Sequence, residues 1–316
     1  MKKALVTGIS GFAGSHLADY LLQTGQYDLS GTYLDENSLK NLNNPAKIRL
    51  QKLNLLDEDA TEEFIRKEKP DILFHLAALT SPRNSFDSPK ETFINNISAQ
   101  INILESVKKN KTETRILVVS SAEVYGLVSS ENLPIDEDAP FNPTNPYAVS
   151  KLAQDFLGLQ YYLSDKLKIV RVRPFNHVGP RQSPRFVISA FAKQIAEIER
   201  GKGKIMKVGK LAARRDFTDV RDMVKAYTLA LNMGELGDVY NLGRGRSYRI
   251  SEILEMLKKM SSVKISVETE PALLKHSDDR ELLCDFSRFE KLTGWKPEIP
   301  IEKTLQDTLD YWRNQV

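Results

Sequence analysis

The sequence contains a single cysteine, Cys284, among 316 residues. One thiol excludes an internal disulfide framework and a cysteine-based zinc site, and it favours a reducing compartment. No apolar run approaches the ~20 residues that a membrane span requires, and the first residues lack the apolar core of a signal peptide. We therefore expect a cytoplasmic protein with no membrane partner and no metal centre.

The sequence also lacks a large excess of either charge. It contains 45 basic and 42 acidic side chains, which gives a formal net charge of +3. This balance does not favour nucleic acid as a partner, so an acidic ligand has to be met by a local pocket. The hydrophobic content of 41% is ample for a buried core. The length predicts either two domains or one large α/β unit.

Strand and helix patterns alternate through the first half of the chain. The predicted strands cover residues 4–6, 29–33, 48–53, 71–78, 115–121 and 169–175. This order predicts an α/β fold with a doubly wound parallel sheet of the Rossmann type. The less regular second half predicts a smaller α+β substrate domain. We expect an interleaved division, with residues 1–175 and 216–241 in the cofactor domain and residues 176–215 and 242–316 in the substrate domain.

Three glycines, Gly8, Gly11 and Gly14, lie between the first predicted strand and the first predicted helix. Such glycines let the backbone turn tightly and approach a pyrophosphate, which then lies at the amino-terminal end of the helix. We assign Phe12 and Ala13, between the last two glycines, to the same cofactor site. The alternative is an ordinary glycine-rich turn without a ligand.

The ends of the next strands carry candidate contacts for the rest of a dinucleotide. Asp35 follows the second strand, where a carboxylate accepts from the adenosine ribose and repels a 2′-phosphate. No arginine lies between positions 33 and 37, so the sequence favours NAD weakly over NADP. Asn54 and Leu55 end the third strand near the adenine, residues 76–78 (Leu-Ala-Ala) end the fourth, and Asn96 lies on the following helix.

Tyr147 and Lys151 are four residues apart at the start of a predicted helix and therefore share one face. Tyr147 is the candidate proton donor or acceptor, and a charge on Lys151 is expected to lower its pKa. Ser121 ends the fifth strand and is placed to hydrogen-bond a substrate oxygen. Glu123 is a candidate acid or base. The alternatives are a helix-surface pair and a solvated loop carboxylate.

Several motifs together resemble the extended short-chain dehydrogenase/reductase family, whose members modify nucleotide sugars. They are the glycine motif, His75-Leu-Ala-Ala, Ser121, Tyr147-x-x-x-Lys151 and Arg173-Pro-Phe-Asn176, and the resemblance covers nearly the whole chain. It implies an NAD(P)-dependent enzyme that forms a homodimer through helices. It also implies catalytic roles for the Ser, Tyr and Lys, and a substrate contact for the Asn.

Stretches of the second half, among them residues 175–180 and 215–222, resemble the branch of this family that acts on GDP-mannose derivatives. The resemblance implies a GDP-sugar substrate and reduction of the C4 ketone of GDP-4-keto-6-deoxy-mannose to GDP-rhamnose. It also implies substrate contacts from Val187, Lys193, Arg215 and Lys275. In this branch an Arg is usual in place of Lys275.

Two other interpretations stay open. The first is a GDP-mannose 4,6-dehydratase with Glu123 as base, or a nucleotide-sugar 4-epimerase, with a tightly bound cofactor. The second is a non-catalytic nucleotide sensor, against which the combination of Ser121, Tyr147 and Lys151 argues.

Overall fold

The computed structural model describes residues 1–274 and 280–316. Their strands are β1 Lys2–Thr7, β2 Tyr27–Tyr33, β3 Arg49–Lys52, β4 Ile72–His75, β5 Arg115–Val119, β6 Lys168–Pro174, β7 Asn176–Val178, β8 Ile205–Val208, β9 Arg214–Asp219, β10 Val239–Leu242, β11 Ser247–Arg249, β12 Ser266–Thr269 and β13 Glu281–Leu282. Their α-helices are α1 Phe12–Thr24, α2 Glu58–Glu68, α3 Pro82–Asp87, α4 Pro89–Phe93, α5 Ala99–Lys109, α6 Pro146–Asp165, α7 Val187–Glu199, α8 Val220–Met233, α9 Ile250–Met260, α10 Ser287–Thr293 and α11 Ile301–Arg313.

Seven strands form a parallel sheet in the order β3-β2-β1-β4-β5-β6-β10. Successive side chains of a strand point to opposite faces, so each buried strand supplies two cores. Ala4 and Val6 belong to the core under α1 and α8, whereas Leu5 belongs to the core under α2 and α5. The doubly wound parallel sheet predicted from the sequence is confirmed.

The second unit contains a four-stranded sheet, in which β9 pairs with β7, β11 and β13, and a two-stranded sheet of β8 and β12. Helices α7, α9 and α11 pack on one another beside these strands. Their shared core includes Phe191, Ile195, Leu254 and Leu305. This unit is built mostly from residues that are distant in sequence.

The boundaries between the units differ in detail from the predicted ones. Residues 216–219 lie in β9, whose edges pair with strands of the second unit, so the chain returns to the first sheet only at Val220, the start of α8. Near the carboxyl end, Phe289 of α10 and Trp295 pack in the core of the first sheet. The division of the chain into two domains at the predicted residues stays a prediction.

The carboxyl ends of the parallel strands meet at one edge of the first sheet, and β7 continues from β6 across that edge into the second unit. In open α/β sheets such an edge is where ligands bind. Of the described helices, none combines the length and apolarity that a bilayer crossing needs.

Candidate active site

The glycine loop after β1 packs closely on protein backbone and lines a cavity next to the first turn of α1. Gly8 has a φ of +67°, and a Cβ placed on it would lie 2.9 Å from the Cα of Ala77. A Cβ on Gly14 would lie 2.3 Å from the carbonyl oxygen of Gly8. Gly11 is the N-cap of α1 and supplies no side-chain hydrogen bond. The loop therefore fits the diphosphate of a dinucleotide, which the helix N–H groups attract.

A cavity of about 500 Å³ lies beside this loop, at the carboxyl edge of the first sheet. It brings together most of the residues that the sequence assigned to a site. These are Gly8, Gly11, Phe12, Ala13, Gly14, Asp35, Asn54, Leu55, Leu76, Ala77, Ala78, Ser121, Glu123, Tyr147, Lys151, Asn176 and Val187. The cofactor, catalytic and substrate assignments thus meet in one continuous space.

Asp35 lies where β2 leaves the sheet, and its side chain is exposed at the cavity. Its Oδ1 accepts hydrogen bonds from the backbone N–H of Asn37 at 2.9 Å and from the Asn37 amide at 3.0 Å. These contacts cap a short 3₁₀ turn, as Asp commonly does. The carboxylate is therefore held at the end of the cavity that the sequence assigned to the adenosine ribose.

The first turns of α6 form one side of the cavity, which Tyr147 and Lys151 line. Asn145 is the N-cap and its Oδ1 accepts from the N–H of Ala148 at 2.7 Å, while Pro146 occupies the first helical position. This start places Tyr147 in the first turn, where Tyr147 and Ser121 line the same cavity. Burial raises the pKa of Tyr147 to about 12, so the phenol keeps its proton at neutral pH.

Lys151 lies one turn further along α6 and is buried. Its Nζ donates to the Oε1 of Gln154 at 2.8 Å. Burial lowers the pKa of Lys151 to about 7, although the charge of Asp155 acts in the opposite direction. The expected lowering of the Tyr147 pKa by Lys151 was wrong for this state, because burial dominates both groups and the ammonium itself loses charge near neutral pH.

A buried ion cluster supports the far side of α6. The Asp155 carboxylate contacts Arg171 at 2.5 Å and Arg173 at 2.7 Å, and the side chains of all three residues are buried. Removal of one partner from such a cluster leaves an uncompensated buried charge. The cluster therefore fixes the helix that carries Tyr147 and Lys151 against β6.

Glu123 lines the cavity one short turn after Ser121, whose Oγ accepts from the Glu123 N–H at 3.2 Å. Its Oε2 lies 3.2 Å from the Nη2 of Arg280 and 3.2 Å from the Nδ2 of Asn145. The carboxylate therefore connects the second unit to the cap of α6.

Four predicted site residues are not among the described residues that line the cavity. Asn96 is buried behind it, where its amide contacts the backbone of Leu79. Lys193 has its Nζ 3.7 Å from Glu197. Arg215 donates to the carbonyl oxygens of residues 214 and 280. Lys275 lies outside the described residues. The assignments of Asn96, Lys193 and Arg215 as direct ligand contacts stay predictions that this arrangement does not favour.

His177 and Gln182 are among the polar cavity residues that were not predicted from the sequence. The His177 ring stacks on Phe12, with centroids 5.7 Å apart and an interplanar angle of 7°. The Nε2 of Gln182 donates to the His177 carbonyl oxygen at 2.9 Å. The only available signal was the position of His177 directly after Asn176, in a motif used only for family resemblance.

Comparison with known proteins identifies the family. The model of the family described as GDP-mannose 4,6 dehydratase matches residues 5–308. The GDP-6-deoxy-D-mannose reductase of Pseudomonas aeruginosa is 35% identical over 100% of this chain and 98% of its own. This chain belongs to that family, within the extended short-chain dehydrogenases/reductases. It is therefore an NAD(P)-dependent enzyme of the nucleotide-sugar type, and the non-catalytic sensor is not supported.

Two solved structures show the same fold over the whole chain. One is RMD from Pseudomonas aeruginosa complexed with NADPH, with a TM-score of 0.87, 33% identity and coverage of 100% of both chains. The other is the UDP-glucose 4-epimerase of Thermus thermophilus in complex with NAD, with a TM-score of 0.87, 26% identity and coverage of 99% of this chain and 100% of that one. These matches support a nicotinamide cofactor without selecting NAD or NADP.

Proposed function

We propose that this enzyme reduces the C4 ketone of GDP-4-keto-6-deoxy-mannose to the hydroxyl group of GDP-rhamnose. The observation that carries the proposal is that Ser121, Tyr147 and Lys151 line the same cavity as the glycine loop, where burial keeps the Tyr147 phenol protonated at neutral pH. The similarity to the Pseudomonas aeruginosa reductase over the full length supports the same reaction.

In the proposed reaction, the protonated phenol of Tyr147 is the proton donor. A bound, reduced nicotinamide supplies the hydride that the ketone carbon accepts. The carbonyl π electrons then become an oxyanion, which takes the phenol proton of Tyr147, and the phenolate recovers a proton from solvent. Ser121 hydrogen-bonds the same oxygen and stabilises the developing charge. Lys151 is proposed to hold the nicotinamide ribose, and Asn176 is proposed to contact the sugar.

We propose NADH as the preferred reductant. Asp35 presents a carboxylate at the end of the cavity assigned to the ribose, and the other residues of this segment that line the cavity, Tyr33, Leu34 and Ser38, are uncharged. A carboxylate there repels the 2′-phosphate of NADPH. The similar structure that contains NADPH makes this a sharp test. A higher kcat/KM with NADPH than with NADH contradicts the preference.

We further propose that the enzyme is a cytoplasmic homodimer that pairs through α6. Val149, Phe156 and Leu163 recur every seven residues on this helix and are 40%, 48% and 56% exposed. An apolar stripe of this kind is typical of an interface between copies. Sedimentation velocity is expected to give a dimer for the wild type and a monomer for Phe156→Glu. A monomeric wild type contradicts the proposal.

The single cysteine supports the proposed reducing, cytoplasmic compartment.

GDP-mannose 4,6-dehydratase is the second candidate activity, because Glu123 lines the cavity beside Tyr147 and the matching family model has that description. In that reaction a carboxylate removes the C5 proton and the cofactor is regenerated within one turnover. A nucleotide-sugar 4-epimerase also regenerates its cofactor.

The deciding experiment incubates the purified enzyme with GDP-4-keto-6-deoxy-mannose and either NADH or NADPH, and it follows absorbance of the reduced cofactor. GDP-mannose without added cofactor is the parallel substrate, with product analysis. We expect oxidation of one reduced cofactor per sugar and no reaction of GDP-mannose. Conversion of GDP-mannose without net cofactor change establishes the dehydratase instead. Absence of reaction with both sugars contradicts the proposed substrate.

A further inference from the structure

Glu123 has a partner that the reduction of a ketone does not require. Arg280 precedes β13 in the second unit, and its Nη2 lies 3.2 Å from the Oε2 of Glu123. The two side chains are only 10% and 13% exposed. Water screens such a sheltered pair far less than it screens a surface ion pair. The pair is therefore sheltered from solvent, and Glu123 is the member of the pair that lines the cavity.

The backbone holds Arg280 in place for this contact. Its carbonyl oxygen accepts from the N–H of Arg214 at 3.1 Å and from the Nη1 of Arg215 at 2.5 Å, so the residue is fastened to β9. From that position the guanidinium reaches across to the first unit. Glu123 in turn contacts Asn145, which caps the helix that carries Tyr147. The contacts thus run from β9 through Arg280 to the start of α6.

The chemistry of a 4-keto sugar gives this pair a consequence. The hydrogen on C5 lies next to the carbonyl group and is acidic, and Ser121 and Tyr147 polarise that carbonyl. A carboxylate beside them can take the C5 proton, which converts the ketone into an enolate. Proton removal turns the Glu123 carboxylate into a neutral acid, so its contact with Arg280 would lose the charge that strengthens it.

We propose that Arg280 is a positioning residue that determines which reaction the cavity performs. Its pairing with Glu123 restrains the carboxylate from removing the C5 proton, so the ketone is reduced and not enolised. This inference rests on the proposed reductase activity. It assigns to the second unit a role in reaction choice in addition to substrate binding.

Solvent exchange at C5 tests the proposal without turnover. The enzyme is loaded with oxidised cofactor and incubated with GDP-4-keto-6-deoxy-mannose in D₂O, and deuterium at C5 is followed by NMR. We expect little exchange in the wild type and at least about tenfold faster exchange in Arg280→Gln. The double variant Glu123→Gln, Arg280→Gln is expected to return to the wild-type rate, because the base is then absent. A merely structural ion pair would not produce this pattern.

Two further variants keep the test decisive. Arg288→Gln removes an arginine that contacts Glu137 at 3.5 Å away from the cavity, and it is expected to leave C5 exchange at the wild-type rate. Arg280→Lys retains the charge and is expected to stay near the wild-type rate, even if Arg280→Gln fails to fold. Rapid exchange in the wild type or in Arg280→Lys overturns the proposal. An unaccelerated Arg280→Gln, or a double variant as fast as Arg280→Gln, also overturns it.

Cofactor oxidation by the wild type in parallel samples separates this inference from the proposed function. Failure to oxidise NADH or NADPH with the keto sugar contradicts the reductase. The difference in the rate of C5 exchange between the wild type and Arg280→Gln tests only the role of Arg280.

Discussion

The two ends of the cavity are built in different ways. At the glycine-loop end, small residues and backbone follow the strands β1 and β4, and their positions are fixed by a regular parallel sheet. At the other end, Asn176 of β7 and Val187 of α7 come from the second unit. A regular sheet repeats one solution to cofactor binding, whereas an irregular edge can be altered residue by residue to suit a substrate.

The largest effect on turnover is expected from a substitution of Tyr147, in the part of the cavity that both ends share. Tyr147→Phe removes the proton donor and leaves the ring in place, so kcat should fall by about 10²–10⁴-fold. Cofactor affinity, measured by fluorescence titration, should change little. Tyr162→Phe on the same helix is the matched control and should retain wild-type kcat. Full turnover in Tyr147→Phe would show that another group supplies the proton.

The glycine-loop end is tested by closing its space. Gly8→Ala places a Cβ against the backbone of Ala77 and is expected to weaken cofactor binding by about 100-fold, because the loop has to shift and then no longer holds the diphosphate. Gly25→Ala is the control, since Gly25 has a similar φ of +65° with nothing within 4 Å of the added Cβ. Isothermal titration should show unchanged affinity in Gly25→Ala. Equal losses in both variants would indicate backbone strain and not closure of the site.

The other end is tested by Asn176→Ala, which removes a side chain that lines the cavity. We expect the KM for the sugar to rise by about tenfold, the effect of losing one hydrogen bond of ~1.4 kcal/mol, while cofactor affinity stays constant. Steady-state kinetics at saturating cofactor checks the first part and titration of the cofactor checks the second. A parallel loss of cofactor affinity would show that the two ends are not independent.

The last prediction concerns how the stability of the fold depends on pH. Burial lowers the pKa of Lys151 from 10.5 to about 7, so between these values the unfolded chain binds more protons than the folded chain. Wild-type stability therefore rises with pH across this window, and the buried ammonium destabilises the fold most below pH 7.

Lys151→Met removes this ammonium. Without cofactor, the variant should be more stable than the wild type by on the order of 5 kcal/mol at pH 6, with the difference shrinking toward pH 10. Urea unfolding at pH 6, 8 and 9.5 measures it. A difference that is constant with pH would mean that the Lys151 charge does not respond to burial.

The sequence predicted the glycine-loop end well, because its signals are local. Gly8, Gly11 and Gly14 lie within seven residues, from the end of β1 into the first turn of α1, and Tyr147 and Lys151 are one helical turn apart. Periodicity and strand-end position then determine where such residues meet.

The contact between Glu123 and Arg280 could not be predicted in this way. The two residues are 157 positions apart, and their meeting depends on how β13 pairs with β9 in the second sheet. Similarly, neither the burial that raises the pKa of Tyr147 nor the contact of Lys151 with Gln154 follows from a four-residue spacing. Long-range pairing and desolvation are properties of the packed chain.

The order in which the chain visits its two units limits how the enzyme can be divided. It leaves the first sheet after β6, returns for α8 and β10, leaves again, and returns once more so that α10 packs on α8 before α11 joins α7. Neither unit is a contiguous segment of the sequence. A single recombination event between two relatives therefore cannot exchange one intact unit, and a chimera with a new substrate half requires several matched grafts. Changes of substrate in this architecture are expected to accumulate through point substitutions along the cavity and not through exchange of modules.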